Sequence, residues 1–169
     1  MVLRVAHVLS GDAHEAEDLA QEVMIKAFSH LEQFDPSTVA KKWLMAILRN
    51  TRIDRLRASH SSKEVSMDRL AAEPAAVPES DVTDPHWSEP QSLLEEFSDR
   101  EIIQALQALP EEIRWTLLLV DVEGLGQAEA ALILEVPVGT IKSRAYRGRA
   151  MLRQALLPLA RDRRLIREG

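Results

Sequence analysis

Apolar positions recur with a helical period along most of the chain. In "HEAEDLAQEVMIKAFSHL", Ala16, Leu19, Ala20, Val23, Met24, Ala27 and Leu31 fall on one face, the pattern of an amphipathic helix with a buried stripe. The opposite face carries Asp18, Gln21, Glu22, Ile25 and Ser29, so an aliphatic side chain stands among acids. A single exposed Ile is ordinary on a protein surface; the sharper alternative is a docking face for a basic helical partner. After the turn marked by "FDPS", the stretch "KKWLMAILRNTRIDRLR" puts Trp43, Leu44, Ile47, Leu48 and Thr51 on one side and Met45, Arg49, Arg52 and Leu56 on another. Asn50 and Asp54 sit one turn apart at the border, suited to satisfying polar groups or pairing with an arginine.

From residue 98 onward the pattern predicts four helices, at about 98–108, 110–123, 127–134 and 138–157. Pro110 suits a first helical turn, and Glu111 and Glu112 favour the positive end of the helix dipole. Gly124 and Gly126 end that helix. The short helix "QAEAALIL", the tight connection "EVP" and the following helix make a helix-turn-helix unit, in which small Ala131 permits close packing. On its second helix Ile141, Ala145, Gly148 and Leu152 share a narrow core-facing sector. Ser143, Tyr146, Arg147 and Ala150 lie opposite, with Lys142, Arg149 and Arg153 on one flank and Arg144 on the other.

Between the helical stretches, "SHSSKEVSMDRLAAEPAAVPESDVTDPHWSEPQS" carries four of the chain's eight prolines and no sustained apolar period, the composition of a linker. The expected fold class is therefore all-α: two small helical domains joined by an acidic flexible linker, the second containing the helix-turn-helix. The division is 1–58, a linker at 59–94, 95–160, and a tail at 161–169. A length of 169 residues accommodates one ordinary core or two small ones.

Charge sharpens this picture. The formal net charge is −6, but it is laid down in blocks: acidic from Asp12 to Asp35, basic from Lys41 to Arg57, acidic again from Ser59 to Ser98. "GTIKSRAYRGRAMLR" then holds five cations and no acid. Alternating blocks point to several partner surfaces. On the last helix, short polar and Arg side chains can reach base edges while flanking cations meet phosphates, as a major-groove reading helix requires. The basic helix beginning at Lys41 can lie along phosphates, although a solvated basic face gives the same pattern.

Catalytic chemistry finds little support. The five His residues lack ligand spacing, there is no HExxH or glycine-rich phosphate loop, and the absence of cysteine removes thiolate sites and disulfides. No enzyme activity, metal or cofactor is expected. No apolar run approaches the roughly 20 residues of a membrane span, and the start lacks a signal-peptide pattern, so no membrane insertion and a cytoplasmic location are expected.

"LPEEIRWTLLLVDVEGLGQAEAALILEVPVGTIKSRAYRGRAMLR" resembles region 4 of the extracytoplasmic-function (ECF) sigma factors, and "AEDLAQEVMIKAF" and "WLMAILRNTRIDRLR" resemble region 2 of the same family. The resemblance covers both helical parts, in order, and leaves out the linker. It implies a protein that binds core RNA polymerase and promoter DNA to direct transcription initiation. It implies that Asp18, Gln21, Glu22 and Ile25 dock on the beta-prime clamp helices, and that a beta-flap contact is made as well. Residues 34–52, with Lys41, Lys42, Trp43, Arg49, Asn50 and Arg52, would melt and capture the minus-ten element, the "DPSTVAKK" loop receiving a flipped base. Thr140, Lys142, Ser143, Arg144, Tyr146, Arg147, Arg149 and Arg153 would read the minus-thirty-five element. The acidic linker would pass through the polymerase channel, and an anti-sigma factor is a further implied partner.

The sequence departs from the family pattern at four places. Gly126 stands where a capping Ser is usual, Glu135 replaces the glycine of the turn, and Gly148 replaces a better helix former, which lowers intrinsic helix stability by roughly 1 kcal/mol. Ahead of "GDAHEAED" the family usually has another helix and a half, so an N-terminally short first domain is expected. Two rivals remain open on the residues: a stand-alone helix-turn-helix regulator, which would need a dimerisation or ligand surface in the first part, and a sigma-like adaptor that binds polymerase without melting DNA.

Overall fold

The computed structural model describes residues 1–36, 38–61 and 99–162, all helix and turn with no strand among them. The proposed linker at 59–94 beyond Ser61, Ser37 of the "DPSTVAKK" loop, and the tail after Asp162 lie outside the described residues. The first lobe contains α1 (Val2–Ser10), α2 (Ala13–Ser29), a short 3₁₀ turn (Leu31–Gln33) and α3 (Ala40–Ser61). The second contains α4 (Asp99–Gln107), α5 (Glu111–Leu117), a π-type continuation at Leu118–Val122, α6 (Gln127–Leu134) and α7 (Val138–Asp162). The four helices expected after residue 98 are all present.

Helix α1 was not assigned from the sequence. Val2, Val5, Ala6, Val8 and Leu9 are buried along it, and Gly11, at φ 77°, turns the chain into α2 by donating its N–H to the His7 carbonyl. Asp12 then caps α2, one carboxylate oxygen accepting from the amides of His14 and Glu15 at 2.9 and 3.0 Å. The Glu15 amide is the main influence holding the Asp12 carboxyl below its ordinary value.

The buried stripe of α2 is narrower than its periodicity suggests: Ala16, Leu19, Val23 and Ala27 are buried, whereas Met24 and Leu31 are exposed. On α3 the difference runs the other way. Met45, read onto the polar side, is fully buried with Leu48 and Thr51, because α3 packs on α2 and α1 along one flank and on α6 along the other. A helix between two layers buries more than one stripe.

The two lobes share a single apolar core. Val5, Leu9, Leu19 and Leu48 of the first and Leu106, Leu117, Leu118 and Ile141 of the second belong to one cluster. Polar contacts reinforce the junction at the C-terminal end of α1, where Gln107 donates to the His7 carbonyl at 3.2 Å and Arg114 to the Leu9 carbonyl at 3.4 Å.

Gly148 explains how α5 and α7 approach. A Cβ there would lie 2.7 Å from Cγ2 of Ile113 and 3.0 Å from Cγ and Cδ1 of Leu117. Ile113 Cγ2 branches directly from Cβ and has no freedom to swing aside. Alanine would gain about 1 kcal/mol of helix propensity but incur overpacking of about 1–3 kcal/mol. Gly148→Ala is thus expected to lower the urea midpoint of the whole chain; an unchanged or raised midpoint would show that the seam has slack.

Candidate nucleic-acid interfaces and docking face

The helix-turn-helix is built as its sequence demands. The α6 N-terminus has no side-chain cap at Gly126, and Glu129 compensates by accepting the Gly126 N–H at 2.9 Å. At the other end Glu135 adopts φ 56°, ψ 44°, the one non-glycine residue with positive φ among the described residues. This is the turn position where the family pattern has glycine, and the left-handed conformation there carries the strain that a β-carbon brings. Pro137 then starts α7, its carbonyl accepting from Thr140 at 3.0 Å and Ile141 at 3.3 Å.

Ile141, Ala145 and Gly148 are buried on α7 and Leu152 is partly buried, which aims the opposite face outward. Lys142, Tyr146, Arg149 and Arg153 are exposed; Thr140, Ser143, Arg144 and Arg147 are half-buried. The Ser143 hydroxyl donates to the Thr140 carbonyl at 3.0 Å, and Arg147 Nε to the Ser143 carbonyl at 3.4 Å. Arg149 reaches across to the segment that follows α5. Its guanidinium forks onto Asp121 with bonds of 3.1 and 2.7 Å, a pairing that holds its pKa above the ordinary value against the opposing effect of burial. Asp121 sits in the π-type segment, too far along the chain for periodicity to reveal it.

The six α3 residues split into two groups. At 3.6 residues per turn, Lys41, Lys42, Arg49 and Arg52 lie within about 100° of one another, while Trp43 and Asn50 lie on another flank. Trp43 packs its ring against Phe34, centroids 5.0 Å apart and tilted by 47°. Asn50 accepts from Arg49 at 3.2 Å, the arginine pairing anticipated for it. Lys41, Arg49 and Arg52 turn toward the second lobe. Lys41 Nζ donates to the Glu123 carbonyl at 2.8 Å, Arg49 pairs with the Glu135 carboxylate at 2.8 Å, and Arg52 meets Glu111 at 3.5 Å.

On α2, Asp18, Gln21 and Ile25 are exposed, Ile25 by 58%. Glu22 is not simply solvent-facing: its carboxylate holds Arg55 at 2.7 Å and Lys26 at 3.0 Å. Partial burial raises its pKa, but the bonds to Arg55 and Lys26 outweigh this and leave it below the ordinary value. Phe28, 70% exposed, extends the apolar surface beyond Ile25 together with Met24 and Leu31. The sequence held a signal for this strip in the i, i+4, i+7 spacing of 24, 28 and 31, but that spacing is shared with the core stripe beside it.

Among the described residues no group of three or more His, Cys, Asp or Glu could hold a metal ion, and no helix is long and apolar enough to cross a membrane.

Comparison with known proteins agrees with this geometry. The chain matches the families Sigma-70 region 2 over residues 1–61 and Sigma-70, region 4 over residues 99–152. It is 33% identical to the RNA polymerase sigma-H factor of Pseudomonas aeruginosa, over 96% of this chain and 87% of that protein. It is 32% identical to the ECF RNA polymerase sigma factor SigW of Bacillus subtilis, over 94% and 84% of the two chains. Among solved structures, the sigma factor RpoE in complex with the anti-sigma factor NepR from Bartonella quintana superposes with a TM-score of 0.65 at 29% identity, covering 91% of this chain and 89% of that one. CnrH, in complex with the cytosolic domain of CnrY, shares the fold, with a TM-score of 0.58 at 23% identity over 94% and 80%. Two sigma regions in order, on one helical framework and with relatives matched over most of their length, place the chain in the ECF sigma factors of RNA polymerase.

Proposed function

We propose a division of labour among three helices. As a sigma factor the chain binds core RNA polymerase and directs initiation at specific promoters. In the proposed assignment, Asp18, Gln21, Ile25 and Phe28 on α2 meet the beta-prime clamp helices. Lys41, Lys42, Trp43, Arg49, Asn50 and Arg52 on α3 face the minus-ten element, and the α7 face of Thr140, Lys142, Ser143, Arg144, Tyr146 and Arg147, flanked by Arg149 and Arg153, reads the minus-thirty-five element. The corresponding domains are 1–58 and 95–160, with the linker at 59–94 and the tail at 161–169. The second lobe also contacts the beta flap, and the protein works in the cytoplasm, where its polymerase is. NepR, bound to a relative at 29% identity, motivates an anti-sigma factor as a further partner.

The observation that carries this reading is the α2 face, where Ile25 and Phe28 stand exposed beside Asp18. An apolar strip would also serve as the dimer surface of a stand-alone regulator, but the acids at its edge favour burial against a basic coiled-coil partner over pairing with a second, equally acidic copy. Asp18→Lys combined with Ile25→Ser touches no intramolecular ion pair found in the structure. It is expected to weaken core polymerase binding by about 10-fold or more while leaving helix content unchanged. Glu22→Lys is a poorer probe, because it also breaks the pairs with Arg55 and Lys26. Unaltered affinity of the double variant for core enzyme, with promoter-dependent transcription intact in vitro, would move the docking surface elsewhere.

A further inference from the structure

We propose that Asp121 is a specificity-determining positioning residue: it holds the Arg149 guanidinium at one angle on the flank of α7, so that the arginine guides the reading helix along the phosphates without binding duplex DNA indiscriminately. The inference rests on the assignment of α7 to the minus-thirty-five element.

Both ends of the pair are anchored. Asp121 continues, at i+4 spacing, the row of Ile113 and Leu117 that packs against α7. The backbone beneath it is fixed, since Leu118 and Leu119 are fully buried and their carbonyls accept the Glu123 and Leu125 N–H groups, each at 2.9 Å. Glu123 is tied in turn to Arg4 at 2.8 Å. Arg149 is the residue after Gly148, whose bare backbone is pressed against Ile113 and Leu117. Its origin cannot drift relative to Asp121.

The fork is directional. Arg149 Nε donates to one carboxylate oxygen at 3.1 Å and Nη2 to the other at 2.7 Å. This occupies one edge of the planar guanidinium and leaves Nη1 and the outer Nη2 hydrogen for another acceptor. The carboxylate is the covered member of the pair, its side chain 19% exposed against 45% for the arginine. A phosphate arriving from solvent therefore meets the unoccupied edge, with the acid behind it.

Charge and hydrogen bonding are separated in this way. A lone arginine on the flank attracts any duplex, whatever its sequence, through counterion release. Paired with Asp121, its charge is largely offset while its donors remain for one phosphate in one place. Phosphate contacts carry no sequence information, but they set the register in which Arg147 and Ser143 meet base edges. Asp121 thus lowers affinity for the wrong DNA and keeps alignment on the right one. Neither member of the pair needs to touch a base.

Holoenzyme affinity is to be measured, over a salt series, for promoters that differ only in carrying a matched or a scrambled minus-thirty-five sequence. Asp121→Asn should raise affinity for the scrambled promoter, steepen the salt slope by about 0.9 and narrow the gap between the two by about 3-fold or more. Arg149→Lys keeps the charge but cannot fork, so it should narrow the gap by a similar factor at unchanged slope. The two changes together should narrow it no further than Asp121→Asn alone, because each removes the same orientation. An unchanged gap in Arg149→Lys, or an equal gain on both promoters in Asp121→Asn, would reduce the pair to charge balance and overturn the proposal. So would a gap that narrows only in step with a falling urea midpoint of the full chain, since the pair would then be structural. Arg147→Ala separates this role from the reading beneath it. If that variant narrows the gap while the other two do not, the positioning role alone fails; if all three leave it intact, α7 is not the reading helix and the functional assignment fails as well.

Discussion

Arg114→Ala should cost the folded chain about 3 kcal/mol, the largest single-residue effect on stability expected outside the apolar core. The guanidinium enters the junction where α4 ends and α1 ends. Its Nε donates to the Leu106 carbonyl at 3.0 Å, Nη2 to Gln107 and Leu109 at 2.6 and 2.7 Å, and Nη1 to Leu9 at 3.4 Å. The Leu9, Leu106 and Gln107 carbonyls stand at helix C-termini, where a cation is favoured by the helix dipole, and Leu106 accepts the Leu109 N–H as well, at 3.1 Å. Burial lowers the Arg114 pKa, with Glu111 opposing and Arg52 assisting, yet a guanidinium stays charged throughout the accessible pH range. Alanine would take away the donor that meets the Gln107 and Leu109 carbonyls, while Leu106 keeps the Leu109 N–H and Leu9 keeps Arg52 at 3.5 Å. Lysine would not rescue them, since one ammonium cannot spread its donors across the planar fork that reaches all four. Urea unfolding should show a lower midpoint at unchanged slope for both variants. A loss below about 1 kcal/mol would mean that water replaces the fork without penalty.

The second large effect concerns which promoters are read. Arg147 lies near the centre of the α7 face opposite the seam of Ile141, Ala145 and Gly148, and its weak 3.4 Å bond to the Ser143 carbonyl is easily exchanged for a base edge. A bidentate arginine–base contact is worth about 1–3 kcal/mol of discrimination. Arg147→Ala in holoenzyme should therefore narrow the gap between matched and scrambled minus-thirty-five sequences by that amount. Arg153, exposed on the flank, serves as the contrasting probe. Its replacement should weaken binding to both DNAs alike and lower the salt slope by about 0.9. The whole chain is needed for the comparison, since the lobes share one core. Equal losses on both DNAs for Arg147→Ala would reassign that residue to the phosphates.

Periodicity carried most of the fold because helices dominate it, and the bounds of α6 follow directly from Gly126 and the turn at Glu135. Its failures have a common cause: a period gives the direction of a side chain but not what stands there. Met24 and Leu31 pointed toward the expected core and found its edge, while Met45 pointed away and found a second layer. Helix α1 carried a usable signal, Val2, Val5, Ala6 and Leu9 at helical spacing, but so short a stretch drew attention only as a rejected leader. The cations of α3 and α7 were legible as charge; their partners were not, since Lys41 and Glu123, Arg49 and Glu135, Arg149 and Asp121 come from distant parts of the chain. Gly148 was read as a weak helix former, and packing shows why nothing larger suits the place.

On the proposed assignment of α7 to the minus-thirty-five element, that missing methyl group sets the mechanics of promoter reading. With Ile113 and Leu117 pressed against bare backbone, α7 has no room to roll or slide on α5, so the second lobe meets DNA as one stiff piece. Each base pair inserted between two promoter elements rotates one relative to the other by roughly 34–36°. A stiff reader cannot follow such a rotation by adjusting a single helix. Tolerance of spacing must then come from twisting of the duplex or from the angle between the lobes, and the second lobe acts as a fixed-length gauge.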